Sequence, residues 1–308
     1  LKVIMIPVQF TDKNLSMAEA EKWQTYVTKF KSYFDEMSGG ALDITADIKA
    51  DPFLPDYPFV ATLPNTMGYY GTDASDRLDA LIKDTVDAST SVINFADYDS
   101  LVIIHAGHGD ESVSGGNTDN IYSVFYYNTG TPVYTFSQNS SNVSIWGSVI
   151  VPESEDNSSP FGTLCHEFGH QLTCDDFYDY SSTSYVGGVG GWSLMGHGNW
   201  GKTDDTSLQG SAPAPMSPYN RARLGWITPV VIDRNYINTD GITQTKNDVY
   251  KVWTNGQPGT EYFLLEARGI YANMPYSPEF SEGLIVWHVD ESEPYNNGNP
   301  SGGQNCRV

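Results

Sequence analysis

The pattern of apolar and polar positions divides the first third of the chain into alternating strands and helices. Continuous apolar runs indicate buried strands, whereas apolar residues that recur every three or four positions indicate helices with one buried face. The pair Gly39-Gly40 marks the end of the first helix, since glycine commonly ends helices. In chain order the patterns predict a strand over residues 2–10, a helix over 17–37, a strand over 42–48, a helix over 73–94 and a strand over 97–105.

The rest of the chain has shorter regular segments and more turns. Ser159-Pro160 is a favourable helix start, because a serine hydroxyl caps the first turn and proline is tolerated there. Residues 187–201 are rich in glycine and are predicted to be irregular. The other predicted elements are three short strands within 121–151, a short helix near 218–224, and strands near 249–252, 262–265 and 284–289. We therefore predict an α+β protein with a mixed first half and a loop-rich second half.

The charge of the chain excludes several classes of partner. Its 308 residues include 38 acidic and 16 basic side chains, for a formal net charge of −22. Such a charge repels nucleic-acid phosphates and anionic lipid, so neither a nucleic acid nor a membrane is an expected partner. The acidic excess is compatible with bound calcium, and equally with a role in solubility alone. The sequence also lacks an apolar stretch long enough to span a bilayer.

Both ends of the sequence read as strands. Leu1–Ile6 resembles a buried strand rather than a signal peptide, so we expect a leader and pro-segment to have been removed, or the chain to have been trimmed. The last three residues resemble the start of a further strand. The three cysteines do not form a disulfide framework. Cys165 could be a metal ligand beside His166, but we interpret it as a small buried apolar residue.

The segment His166-Glu167-Phe168-Gly169-His170 carries the strongest chemical signal. Two histidines four residues apart project from one face of a helix, so both imidazoles can bind one zinc ion. Glu167 is adjacent to the first histidine and can act as the general base on the zinc-bound water. Catalytic zinc usually has three protein ligands, and Asp176 is our predicted third ligand if the chain turns back after the helix. Asp175 and Asp179 are the alternatives.

Several segments resemble those of the M6 metallopeptidases, the immune inhibitor A-like family of secreted bacterial zinc proteases. Along the chain they follow one another in the same order as in the family. The run 166–179 is similar to the family's zinc signature, and Gly191–Gly196 is similar to its Met-turn, a tight turn that places Met195 beneath the zinc. Further similar segments are His105–Gly109, Pro218–Trp226 and Gly283–Asp290. The set is far more specific than the two histidines and the glutamate alone.

The resemblance implies a zincin (metzincin-like) catalytic domain. It implies that residues 1–308 form a single catalytic domain, with an upper subdomain over 1–173 and a loop-rich lower subdomain over 174–308 that contains the Met-turn. The upper subdomain would hold a twisted mixed sheet, a backing helix and the active-site helix. Substrate would lie in the cleft and pair with an edge strand of the sheet. Structural calcium, a pro-segment and C-terminal accessory domains are also implied.

One stretch departs from the family pattern. The family usually has Gly-Leu-Pro before the aspartate ligand, where this chain has Thr173-Cys174-Asp175. Glycine permits a left-handed backbone that a β-branched threonine disfavours. We therefore expect the turn after the active-site helix to differ locally.

The implied mechanism is hydrolysis of a peptide bond by a zinc-bound water activated by Glu167. Zinc would polarise the substrate carbonyl, and Glu167 would pass the proton to the leaving amine. Tyr178 and His197 are candidate donors to the oxyanion because they lie near the zinc motif and the Met-turn, although Tyr178 could equally be a packing residue.

Other candidate ligands are weaker. His105 and His108 could chelate a second metal, but we interpret them as structural, because they follow a buried strand in a glycine-rich loop. His288 is interpreted in the same way. The loop oxygens available to calcium follow no binding-loop pattern, so no calcium site is assigned to Asn117, Asp119, Glu153, Glu155, Asp156, Asp204 or Asp205.

Three functions are compatible with these features. The first is a secreted zinc-dependent endopeptidase of broad specificity on extracellular proteins. The second is a zinc amidase or a glycoprotein-directed hydrolase that uses the same metal chemistry. The third is a noncatalytic binding module that retains a metal site. We favour the first, because both histidines and the general base are intact.

Overall fold

A computed structural model describes the chain outside a set of short gaps. The gaps are residues 72–76, 113–118, 157, 178–188, 204–205, 234–247, 269–282 and 293–308. The chain divides into two compact units. The first comprises Leu1–Phe34 and Asp43–Gln171, and the second comprises Asp35–Leu42 and Leu172–Val308.

The first unit contains a mixed sheet in the strand order β2-β1-β4-β8-β5. A sixth strand, β3, also pairs with β1, next to β2. Its strands are β1 (Lys2–Gln9), β2 (Thr45–Asp47), β3 (Ala61–Thr62), β4 (Ser100–His108), β5 (Val124–Tyr127) and β8 (Gly147–Ser154). A hairpin of β6 (Tyr134–Gln138) and β7 (Ser141–Ile145) lies between β5 and β8 in sequence. The pairings are parallel except that β5 runs antiparallel to β8. The strand order places β5 last on its side of the sheet.

Helices cover both faces of this sheet. They are α1 (Met17–Ser38), α2 (Met67–Gly71), α3 (Leu78–Ser89) and α4 (Pro160–Gln171). On one face, apolar residues of α3 pack on alternate strand residues such as Ile4, Ile103 and Ile150. The intervening strand residues point to the opposite face, where α1 and α4 meet through aromatic rings.

The described part of the second unit contains a four-stranded sheet in the order β12-β11-β10-β9 and a short α-helix. The elements are α5 (Pro218–Arg223), β9 (Val230–Val231), β10 (Val249–Trp253), β11 (Glu261–Arg268) and β12 (Gly283–Asp290). A buried charged group anchors α5 to this sheet, because the Arg221 guanidinium donates to Glu266 at 2.8 Å and Arg268 donates to the same carboxylate. Both arginines and the glutamate are at most 8% exposed.

The structure confirms the predicted mixed α+β class and corrects two predicted elements. The helix predicted over 73–94 is shorter, since α3 ends at Ser89 and the apolar residues beyond it lie in a buried turn. The three short strands predicted within 121–151 are β5, β6 and β7, and a fourth, buried strand, β8, follows them. Among the described residues, no helix is long and apolar enough to cross a membrane.

Candidate metal centre

Helix α4 holds the zinc motif against the core of the first unit. It begins at Pro160, as predicted, and the Ser159 hydroxyl accepts a long hydrogen bond of 3.4 Å from the Phe161 amide. One side of the helix is closed to solvent, since Leu164 and Phe168 are 0% exposed. At its last residue, the Gln171 side chain accepts a hydrogen bond of 2.9 Å from the Ser100 hydroxyl. The helix is therefore held at both ends.

Three side chains of the motif converge on one point. The ligand atoms of His166, Glu167 and His170 all lie within 4.8 Å of one another. The two imidazole rings are 4.9 Å apart between centroids and nearly perpendicular, at 86°. Two neutral imidazoles and a nearby carboxylate are the donor set that zinc accepts, so these residues fit the metal that the sequence predicts. No second group of three or more such side chains is found in the described part of the chain.

The edge strand of the sheet contacts the predicted general base. The backbone amide of Phe125 in β5 donates a hydrogen bond of 2.7 Å to Glu167 Oε2. The sequence did not predict this donor, because every residue except proline has a backbone amide and the residue type therefore does not identify it. A predicted strand in this region was the one available signal, and its place at the edge of the sheet follows only from the strand order.

A buried glutamate holds the first turn of α4. Glu155 is 5% exposed and accepts hydrogen bonds from the Thr163 hydroxyl at 2.7 Å and from the Ser158 hydroxyl at 2.9 Å. Burial raises the pKa of Glu155 to about 7, and the nearby Glu111 carboxylate raises it further against the lowering effect of the two hydroxyls. The sequence assigned no calcium site to Glu155, and its described side-chain contacts are hydroxyl groups of the protein.

The second residue after α4 corrects an expectation. Thr173 has a φ of 70°, the left-handed conformation that glycine usually provides at the end of a helix. The backbone here therefore takes the conformation that a β-branched residue disfavours, and the replacement of glycine by threonine does not prevent it. The side chain of Thr173 is exposed, so solvent accommodates it.

The candidates for the third ligand lie in the second unit. Asp175 forms an ion pair with Arg223 at 3.1 Å, whereas Asp176 is half-buried next to the buried Phe177. The Phe177 amide donates a hydrogen bond of 2.6 Å to the carbonyl of Met195. The predicted ligand segment and the predicted Met-turn are thus joined directly. Asp179, the other alternative, lies outside the described residues.

The segment around Met195 is a tight, buried turn. The Gly196 amide donates to the Ser193 carbonyl at 2.9 Å, and the Leu194 amide donates to the Pro215 carbonyl at 3.1 Å. Met195 itself is 0% exposed. His197 begins a short 3-10 helix directly after this turn and is half-buried. Tyr178, the other candidate donor, lies outside the described residues.

The remaining histidines have local partners. His105 is completely buried near Phe10, and burial lowers its pKa to about 4, so it is neutral. His108 lies 3.5 Å from Asp156, and His288 lies 2.8 Å from Glu261.

Cys165 is completely buried as a free thiol, and burial raises its pKa well above the ordinary value. A buried thiol with a raised pKa behaves as an apolar group rather than as a metal-binding thiolate.

The sequence of this region matches a known protein family. Residues 92–227 match the family described as immune inhibitor A peptidase M6, catalytic domain. The matched range contains α4, Asp176 and Met195. The resemblance predicted from the sequence is therefore confirmed, and it supports a metallopeptidase.

Individual proteins extend the comparison. Immune inhibitor A of Bacillus thuringiensis subsp. alesti is 25% identical over 271 residues, which cover 74% of this chain and 36% of that protein. The chain thus spans about a third of the length of this relative. Two crystal structures of wild-type OgpA from Akkermansia muciniphila align at 12% and 11% identity, with TM-scores of 0.44 and 0.42. They cover 95% and 97% of this chain and 84% of each OgpA chain.

Proposed function

We propose that this chain, whose residues 92–227 match the peptidase M6 catalytic domain, is a zinc-dependent endopeptidase of the zincin type. The observation that carries the proposal is the convergence of His166, Glu167 and His170 within 4.8 Å on one buried helix. Metal ligands and a general base are the minimum that hydrolysis by a metal-activated water requires.

The zinc would be held by His166, His170 and Asp176. Asp176 is preferred over Asp175, because it stands at the position of the aspartate ligand in the M6 pattern. Asp176 is also adjacent to Phe177, whose amide is bonded to Met195. In the M6 pattern the aspartate ligand and the Met-turn belong to one zinc site, so this link supports the same choice. When bound, zinc acts as a Lewis acid and lowers the pKa of a coordinated water.

The chain's own residues would move the protons. Glu167 would accept a proton from the attacking water and deliver it to the amine of the leaving peptide. The Phe125 amide orients the Glu167 carboxylate through the 2.7 Å hydrogen bond. His197 and Tyr178 are the proposed donors to the oxyanion. Beyond the Phe125 amide, which Glu167 occupies, the peptide substrate would pair with the outer edge of β5, as in other cases where a peptide adds a strand to a sheet.

Further features of the proposal concern the whole protein. We propose a single catalytic domain over residues 1–308, with an upper subdomain over 1–173 and a lower subdomain over 174–308 built around a Met-turn at Met195. Secretion, broad specificity on extracellular proteins and structural calcium follow from the family resemblance. A removed pro-segment and C-terminal accessory domains belong to the same proposal.

The test of the enzymatic proposal is cleavage of casein and gelatin by the zinc-loaded protein. We expect cleavage that a chelator abolishes and that added zinc restores. Glu167→Gln should retain bound zinc and lose activity by at least about a hundred-fold, as expected for a general base. Glu21→Gln, on the exposed side of α1, is the matched control and should retain both.

The same assay separates the other two functions. Cleavage of glycopeptides or cell-wall amides, with none of unmodified proteins, would replace the endopeptidase by an amidase or a glycoprotein-directed hydrolase. Bound zinc with no cleavage of any of these substrates would leave only the noncatalytic binding module.

The zinc ligands are tested by metal content. Asp176→Asn should lower zinc affinity by at least about ten-fold, because loss of one ligand leaves the two histidines alone on the metal. Asp175→Asn, which breaks the ion pair with Arg223, should retain zinc, since Asp175 is not the proposed ligand. Zinc titration with a fluorescent competitor measures both. Equal affinities for Asp176→Asn and the unmodified protein would assign the third ligand to another residue.

A further inference from the structure

Two residues of β5, Phe125 and Tyr127, direct their backbone hydrogen-bonding groups to the outer edge of the sheet. Neighbouring residues of an antiparallel strand direct their backbone groups alternately to the two sides. The Asn128 amide donates to Trp146 on the β8 side at 3.0 Å, whereas the Phe125 amide donates to Glu167 on the other side. Phe125 and Tyr127 therefore direct their backbone N–H and C=O groups away from β8.

The side chains of these two residues form an aromatic pair. Residues two apart on a strand share a face, and the rings of Phe125 and Tyr127 stack with centroids 5.9 Å apart and planes inclined by 17°. Val124 and Tyr126 point to the other face, where they pack against the apolar core around α3. The Tyr127 side chain is 50% exposed, so the pair is open to solvent on one side.

This pair lies beside the general base. The amide of Phe125 itself contacts Glu167, so the Phe125 ring projects from the residue that adjoins the reacting centre. Tyr127 lies two residues further along the strand, about 7 Å away at the usual rise. A peptide that pairs with this edge would place the side chains opposite Phe125 and Tyr127 on the same face as the two rings.

We infer that Phe125 and Tyr127 are specificity-determining residues, and that they select a peptide substrate with a large apolar side chain, preferably aromatic, near the scissile bond. The inference rests on the proposed function, because it concerns the same site. Stacked rings offer flat apolar surface and no charge, so an aromatic or large aliphatic side chain gains contact area there and a small or charged one does not. Because side chains alternate along an extended peptide, the preference falls on positions separated by two residues.

The test uses a series of extended peptides that share an alanine-rich sequence. At one position at a time, alanine is replaced by phenylalanine, leucine or aspartate, and mass spectrometry of the products identifies the bond cleaved. We expect kcat/KM to be roughly ten-fold higher for phenylalanine than for alanine at one or two positions near the cleaved bond. Aspartate at those positions should fall below alanine.

Variants then identify the residues that cause the preference. Tyr127→Val and Phe125→Val keep a strand-forming residue and the backbone amide, and each should reduce the ratio of phenylalanine to alanine to near one. Tyr127→Phe keeps the stacked ring and should retain the ratio. Tyr57→Val changes a tyrosine of similar exposure (42%) in a loop at the opposite edge of the sheet and should leave both the ratio and the activity unchanged.

A binding measurement separates this inference from the proposed function. Zinc-loaded Glu167→Gln is titrated with fluorescently labelled phenylalanine and alanine peptides, with and without Tyr127→Val. Cleavage with no aromatic preference, or a preference that survives both valine variants, would overturn the assignment while the endopeptidase stands. Selective binding of the phenylalanine peptide that Tyr127→Val removes, in a protein that cleaves nothing, would support the aromatic site and refute the endopeptidase.

Discussion

At the level of single residues, Thr173 carries backbone strain at the end of the metal-site helix. Its φ of 70° lies in the left-handed region, which costs an L-residue about 1–2 kcal/mol and is least favourable for β-branched side chains. The strained residue lies in the turn that directly follows α4.

Replacing Thr173 by glycine should therefore stabilise the protein. Relief of the strain is partly offset by the greater flexibility of glycine in the unfolded chain, so we expect a net gain of about 0.5–1 kcal/mol in the free energy of unfolding. Urea denaturation measures it. Thr90, after α3, has a φ of −60°, so Thr90→Gly should lower stability by a similar amount. A loss of stability in both variants would show that the left-handed turn is not strained.

The buried Glu155 should make stability depend on pH. Its pKa is about 7 in the folded protein against an ordinary value of 4.5, so the folded state holds the proton more tightly than the unfolded chain does. Stability should therefore fall as pH rises from about 4.5 to about 7 and level off above that. At about 1.4 kcal/mol per pKa unit, the full effect is about 3 kcal/mol.

Glu155→Gln should remove this dependence. Relative to the unmodified protein, the variant should gain stability as pH rises through this range, and urea denaturation at several pH values measures the difference. A chelator is kept present so that zinc binding does not contribute. Asp56→Asn, in an exposed loop, controls for the removal of one negative charge. A difference between Glu155→Gln and the unmodified protein that is constant with pH would refute the role of this carboxyl.

At the level of elements, α4 is fixed to α1 by aromatic packing. The Phe168 ring is 0% exposed and meets Phe30 and Phe34 in T-shaped contacts, with centroids 4.8 Å and 5.0 Å apart. Phe168→Ala should lower the free energy of unfolding by about 3–5 kcal/mol, because it leaves a cavity in the core. Phe53→Ala changes a side chain that is 89% exposed, and a change below about 0.5 kcal/mol is expected. Denaturant midpoints of both variants give the comparison, and similar losses would contradict the packing of α4 described here.

The elements that the sequence predicts best are those with local signals. The first helix ends where predicted, because Gly39 and Gly40 take φ values of 61° and 80° that favour glycine. The histidines four apart in α4 needed only the helical repeat to predict their convergence. The predicted helix over 73–94 was too long. Val92 and Ile93 follow α3 in a partly buried turn, so their apolar side chains reflect burial of that turn and do not continue the face of a helix.

Strand order explains what could not be predicted. β5 pairs with β8, and the hairpin of β6 and β7 lies between them in sequence, so no local pattern places β5 at the edge of the sheet. The contact between the Phe125 amide and Glu167 depends on this placement and joins groups 42 residues apart. The clamp of Glu155 on Thr163 likewise depends on how β8 leads into α4. The arrangement of the elements, rather than residue type, determined these contacts.

At the level of the whole molecule, the excess of acidic groups should make stability depend on salt. The 38 acidic side chains outnumber the 16 basic ones, which gives the net charge of −22, and the mutual repulsion of the carboxylates opposes the compact state. The surface ion pairs of the described residues, such as Lys22–Glu19 and Lys83–Asp87, are partly exposed, and each contributes at most about 1 kcal/mol. The buried pair of Arg221 and Glu266 is little screened. Repulsion should therefore outweigh the loss of ion pairs.

We expect Tm at pH 7 to rise when sodium chloride is increased from about 0.01 M to about 0.15 M, which shortens the Debye length from about 30 Å to about 8 Å. Differential scanning calorimetry measures the shift, and choline chloride should give the same rise if screening rather than sodium binding is the cause. Near pH 4, where many carboxylates are protonated, the rise should shrink. A Tm that falls with salt at pH 7 would mean that attractive pairs dominate the electrostatics of this acidic chain. A rise with sodium chloride alone would instead indicate a cation held by the carboxylates.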